Sequence, residues 1–80
     1  MKVSAQISIY PLRQEKLSPA VNAVRDALTA GGLTPNVGLM STVVSGDTAI
    51  VFSAIQEAFE AAAAKGDAVL TLTVSNACPT

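Results

Sequence analysis

Residues 3–10 read Val-Ser-Ala-Gln-Ile-Ser-Ile-Tyr: Val3, Ala5, Ile7 and Ile9 alternate with Ser4, Gln6, Ser8 and Tyr10. A period of two marks a strand with one face toward a core and the other away from it. Pro11 lacks a backbone N–H and helps end that strand. The same alternation returns near the other end of the chain, where Ala68, Leu70, Leu72 and Val74 alternate with Val69, Thr71, Thr73 and Ser75. Two half-buried strands therefore bracket the sequence, and the segments between them decide how they meet.

Working inward from the first strand, residues 12–17 are mostly polar and read as a loop. Ser18-Pro19 then reads as a helix start. Serine is a good N-cap, and the first helical turn tolerates proline because its N–H would go unused there. Val21, Val24 and Leu28 follow at helical spacing and form one apolar stripe. Gly31-Gly32 ends the helix, since glycine accepts the left-handed conformation at C′. Residues 33–40, with Pro35 suited to an edge, and residues 41–46 read as a hairpin with its tight turn near Met40-Ser41. Asp47 or Thr48 is expected to cap a second helix. Its stripe is Val51, Ile55, Ala58, Phe59 and Ala62, with Ser53, Gln56, Glu57 and Glu60 opposite. Lys65 complements the helix dipole and Gly66 stops the helix.

The order is β, α, β, β, α, β over one domain, residues 1–80. Two βαβ halves around a central hairpin imply an α+β, ferredoxin-like sandwich: a four-stranded antiparallel sheet with both helices on one face. Val24, Leu28, Ile55 and Phe59 are expected to share a core with Ile7, Ile9, Leu70 and Leu72. The opposite sheet face carries Ser4, Gln6, Ser8, Tyr10, Val69, Thr71, Thr73 and Ser75. The first and last strands are expected not to be direct neighbours, with the hairpin strands contributing to that face.

Composition narrows the function. Five Lys and Arg against six Asp and Glu give a net charge of −1, and the basic residues are scattered. Nucleic-acid binding needs a patch that neutralises several phosphates, so it is not expected. No apolar run is long enough to span a membrane. The alternating start is unlike a secretory signal, and the lone Cys78 fits a reducing cytoplasm. The absence of histidine removes an imidazole base, a catalytic triad and, with one cysteine, the usual zinc ligands. The acids Glu15, Asp26, Asp47, Glu57, Glu60 and Asp67 are isolated, so an acid–base pair is not expected. Gly31-Gly32 follows a helix instead of opening one, unlike a phosphate-binding loop. These absences point away from an enzyme.

One positive feature remains. The open sheet face is rich in hydroxyls and almost free of charge, whereas solvated faces usually carry Lys and Glu. Such a face suits burial against another subunit. A domain this small without staples gains stability by oligomerising, so a homodimer or homotetramer is expected. A pocket at the edge of that contact suits a small polar ligand.

Two segments resemble a known family. Gln6-Ile7-Ser8-Ile9-Tyr10-Pro11-Leu12 resembles the opening strand of the thiamine- and hydroxymethylpyrimidine-binding family, the YkoF-type proteins. Residues 33–47, LTPNVGLMSTVVSGD, resemble its central hairpin, with Met40, Ser41, Thr42 and Val43 followed by Gly46 and Asp47. The resemblance covers nearly the whole chain. It implies a ferredoxin-like fold, dimers or tetramers assembled through the sheets, and binding without catalysis or a cofactor beyond the bound ligand. Many relatives end the last strand on an acidic pair, where this chain has Ser75 and Asn76.

On this resemblance the candidate ligand-binding residues are Gln6, Ser8, Tyr10, Met40, Ser41 and Thr42. An aminopyrimidine needs both donors and acceptors. The Gln6 amide offers both, and the Ser8, Ser41 and Thr42 hydroxyls act either way. Tyr10 or Met40 would cover the ring face. A thiazolium would point to solvent, because burying an unpaired cation is costly. The leading expectation is a carrier or sensor of thiamine or its hydroxymethylpyrimidine part. The alternative is a ligand-free regulatory or assembly module using the same face, with Tyr10 at an interface, Met40 filling a gap and Ser41 and Thr42 serving the turn.

Overall fold

The computed structural model describes residues 1–13, 16, 18–38 and 41–77. The elements run β1 (Lys2–Pro11), α1 (Ser18–Ala30), β2 (Asn36–Val37), β3 (Thr42–Asp47), α2 (Thr48–Ala63) and β4 (Ala68–Ser75). The sheet is antiparallel with order β2-β3-β1-β4, and the ferredoxin-like fold is as expected.

The order corrects one expectation: β1 and β4 are direct neighbours, paired from Ser4↔Ser75 to Pro11↔Ala68. Each βαβ crossover leaves an open slot beside its first strand, and a strand of the other half fills it. β1 thus lies between β3 and β4. The open face is made of directly opposed pairs, Ser4↔Ser75, Gln6↔Thr73, Ser8↔Thr71 and Tyr10↔Val69, with Ser45 opposite Ser4 and Val43 opposite Gln6 on β3. The Ser4 and Ser45 hydroxyls meet across the strands at 2.8 Å.

The helix-facing side holds the core. Val3, Ala5 and Ile7 pack with Val44, with Ala20, Val24 and Leu28 of α1, and with Val51, Ala54, Ile55, Ala58 and Ala62 of α2. α1 ends as its glycines predict. The Leu33 N–H bonds to the Leu28 carbonyl and the Gly32 N–H to the Thr29 carbonyl, with Gly32 at φ 93°. This is the Schellman arrangement, and its two hydrophobic ends, Leu28 and Leu33, both enter the core.

Two expected core residues lie elsewhere. Phe59 is 41% exposed, as is its neighbour one heptad earlier, Phe52, at 46%. The helices meet through small side chains: a Cβ on Gly31 would come within 2.8 Å of the Ala54 Cβ. So close an approach seats the alanines of α2 inward and leaves Phe59, about 100° further round than Ala58, on the flank. Leu72 is 37% exposed although it opposes Ile7. It sits on the outer strand, where Leu70 and Val74 are also only partly covered. Capping differs too. Asp47 holds the N-cap position of α2 without a side-chain bond, and the Thr48 hydroxyl donates instead to the Met1 carbonyl at 2.9 Å. The expectations for Met40 and Cys78 lie outside the described residues.

Candidate functional site

The hairpin β2–β3 is short. Pro35 cannot donate to a ladder, β2 spans only Asn36–Val37, and the Gly38 N–H bonds to the Ser41 carbonyl at 2.8 Å to close the turn. β3 begins at Thr42, opposite Ile7, whereas β4 accompanies β1 to Pro11. Among the described residues the sheet is thus notched beside the far half of β1. α1 covers one side of the notch with its first two turns.

The notch forms a cleft of about 290 Å³. Its walls are Ile7, Ser8, Ile9 and Tyr10 of β1, Val21 and Val24 of α1, and Val37, Gly38, Ser41 and Thr42 of the hairpin. No Lys, Arg, Asp or Glu is among these walls. The aliphatic side chains and the Tyr10 ring supply apolar surface, while the Ser8, Tyr10, Ser41 and Thr42 hydroxyls supply polar atoms able to donate or accept. Thr42 is 8% exposed and Tyr10 49%, so polar groups occur at both the floor and the mouth.

Of the expected site residues, Ser8, Tyr10, Ser41 and Thr42 converge on this cleft. Gln6 is not in its wall. Its amide nitrogen instead donates to Ser41 Oγ at 3.1 Å, orienting that hydroxyl from the open face. The apolar wall was not anticipated as a site. Val21, Val24, Ile7 and Ile9 carry the periodicity of core residues, and no local signal separates a core valine from one facing a cleft. Gly38 had no local signal either. A weak signal was available in Pro11, which places a residue without a donor on β1 where the neighbouring strand has ended.

Elsewhere the surface offers less. Arg13 and Asp67 approach to 3.6 Å, but both are well exposed and such a pair adds little. Among the described residues no group of three or more His, Cys, Asp or Glu is placed to hold a metal ion. Among the same residues no helix is long and apolar enough to cross a membrane.

Fold and cleft together give a ferredoxin-like module with a cleft whose described walls are uncharged and partly apolar. The thiamine-binding protein family matches residues 5–75, and the chain belongs to that family. Membership supports a small-ligand-binding role. A hypothetical protein of Methanocaldococcus jannascii is similar in structure, 26% identical over 99% of this chain and 84% of that one, with a TM-score of 0.86. A Streptococcus pneumoniae protein matches at 22% identity over 94% of this chain and 86% of that one, with a TM-score of 0.85. A Thermotoga maritima protein assigned provisionally to thiamine biosynthesis or salvage matches at 20% identity, covering 92% and 82%, with a TM-score of 0.81. The last two are similar in fold alone. No curated protein matches the chain.

Proposed function

We propose that the chain, acting as one domain, is a non-catalytic binding protein for thiamine or its hydroxymethylpyrimidine part, a carrier or sensor in the cytoplasm. The observation that carries this reading is the uncharged cleft of a thiamine-binding family member, with hydroxyls set in an aliphatic wall. A pyrimidine ring is flat and neutral, so it loses little on leaving water for such a wall. Its ring nitrogens and amine are met by Ser8, Ser41 and Thr42, Gln6 holds Ser41 in place, and the Tyr10 ring covers one face. Met40 belongs to the same proposal on the family resemblance. The thiazolium of thiamine points outward, because no carboxylate is among the described walls of the cleft to balance it.

Titration calorimetry and thermal shift with hydroxymethylpyrimidine and thiamine test this. Binding to the native chain raises its melting temperature by mass action. No heat and no shift with either compound at millimolar concentration overturns the reading.

The open sheet face supports a second statement about partners. Tyr10, Val43 and Val69 are exposed there among serines and threonines. We propose that this face packs against another copy, in a homodimer or homotetramer. Sedimentation at micromolar concentration is the test, and a monomer of 8.1 kDa overturns it. Thr73→Lys, which puts a charge on that face, is expected to dissociate the assembly.

A further inference from the structure

Gln6 stands outside the described wall of the cleft and yet touches a residue of that wall. It lies midway along β1, opposite Val43 of β3 on one side and Thr73 of β4 on the other. From there its amide nitrogen donates to Ser41 Oγ at 3.1 Å. Ser41 is half-buried and lines the cleft, and its carbonyl accepts the bond from the Gly38 N–H that closes the turn. The backbones at both ends of this contact are therefore fixed, one by two flanking strands and the other by the hairpin.

The direction of that bond matters to a ligand in the cleft. A serine hydroxyl has one proton to give and two lone pairs that accept. An amide NH2 can only donate, so Gln6 occupies a lone pair of Ser41 and leaves its proton unspent. An acceptor placed in the cleft can take that proton. A carboxylate at position 6 would reverse the roles, since it can only accept and would draw the single proton to itself. Residue 6 thus decides whether Ser41 meets a ligand as a donor.

We infer that Gln6 is a positioning residue that sets the hydrogen-bond polarity of the cleft through Ser41. It selects a ligand with an acceptor at that point, the ring nitrogen beside the amine of an aminopyrimidine, over the ring N–H of the matching pyrimidinone. The inference rests on the pyrimidine-binding reading and adds this discrimination to it. The two ligands are alike in size and flatness, and they exchange donor for acceptor at adjacent positions. The aliphatic wall of Ile7, Ile9, Val21 and Val24 does not tell them apart, so the choice falls to the hydroxyls. A pyrimidinone brings its N–H against the Ser41 proton. Relieving that clash requires the hydroxyl or the Gln6 amide to turn and give up their present bond.

Titration calorimetry with hydroxymethylpyrimidine and its pyrimidinone counterpart is the test, at neutral pH where the uncharged forms predominate. The unmodified chain should bind the aminopyrimidine roughly three- to tenfold more tightly, the worth of one hydrogen bond. Gln6→Glu should weaken aminopyrimidine binding and bring that ratio to one or below. Gln6→Met frees the hydroxyl to turn and should give an intermediate ratio. Thr73→Glu is the control. It puts the same charge directly opposite residue 6 but outside the described wall, and it should leave the ratio unchanged whatever it does to assembly. An unmodified chain that binds both ligands equally overturns the inference and spares the function. So does a Gln6→Glu ratio equal to that of the unmodified chain, or an equal shift in Thr73→Glu, which would assign the effect to charge alone. Should Gln6→Glu fail to fold, an unchanged ratio in Gln6→Met overturns the inference. Absence of any binding by the unmodified chain overturns both.

Discussion

The two halves of β1 follow one alternation and end in different environments. Val3, Ala5 and Ile7 are 4%, 1% and 2% exposed, with β3 on one side and β4 on the other. Ile9 continues the same pattern but is only half-buried, and Tyr10 beside it is 49% exposed. The side chains do not account for the difference, since Ile7 and Ile9 are identical. What changes among the described residues is the neighbour: β3 begins at Thr42, opposite Ile7, and Ile9 lines the cleft. An apolar residue with a strand on each side stabilises the core, and one beyond the described end of β3 lines the cleft.

The largest effect should follow from cutting into the fully flanked half. Ile7→Ala removes a buried side chain and is expected to cost about 2–5 kcal/mol in denaturant unfolding. A loss as small as that of Ile9→Ala, where roughly 1–2 kcal/mol is expected for a half-covered side chain, would erase the contrast between the halves. Phe59→Ala extends the comparison to α2. Because Phe59 is 41% exposed, its loss should also cost roughly 1–2 kcal/mol and fall short of the 3–5 kcal/mol of a fully buried phenylalanine.

Smaller effects should appear in binding. Thr42→Val keeps the shape at the junction of core and cleft and removes one hydroxyl. Affinity for hydroxymethylpyrimidine by calorimetry should drop roughly three- to tenfold. An unchanged affinity would remove Thr42 from the site. The smallest effect should be that of salt. With no charged residue among the described walls, raising ionic strength to about 0.5 M should leave that affinity within about twofold, and a steep dependence would point to ions beyond those walls.

Much of the candidate site was legible because it used local information. The face carrying Ser8 and Tyr10 follows from the period of two, and Ser41 and Thr42 lie where a hairpin had to turn. The exposure of Phe59 was not legible. Its spacing matches a buried stripe, and only the close approach of Gly31 to Ala54 turns it outward. Gln6 was half legible: it belongs to the polar face, but its use in holding Ser41 depends on a strand more than thirty residues away along the chain.

The sequence by itself determined the elements, their order and which face of each strand is apolar. It also determined where α1 stops, because Gly32 can take φ 93° without the strain of a side chain. These are properties of a few adjacent residues. Tertiary structure alone decided that β1 lies between β3 and β4, that the short hairpin leaves a notch beside Ile9, and that Leu72 falls on an open edge. Each depends on which distant strand comes to lie beside which. That choice is made by the packing of both helices on one sheet face, and the period of a single strand carries no record of it.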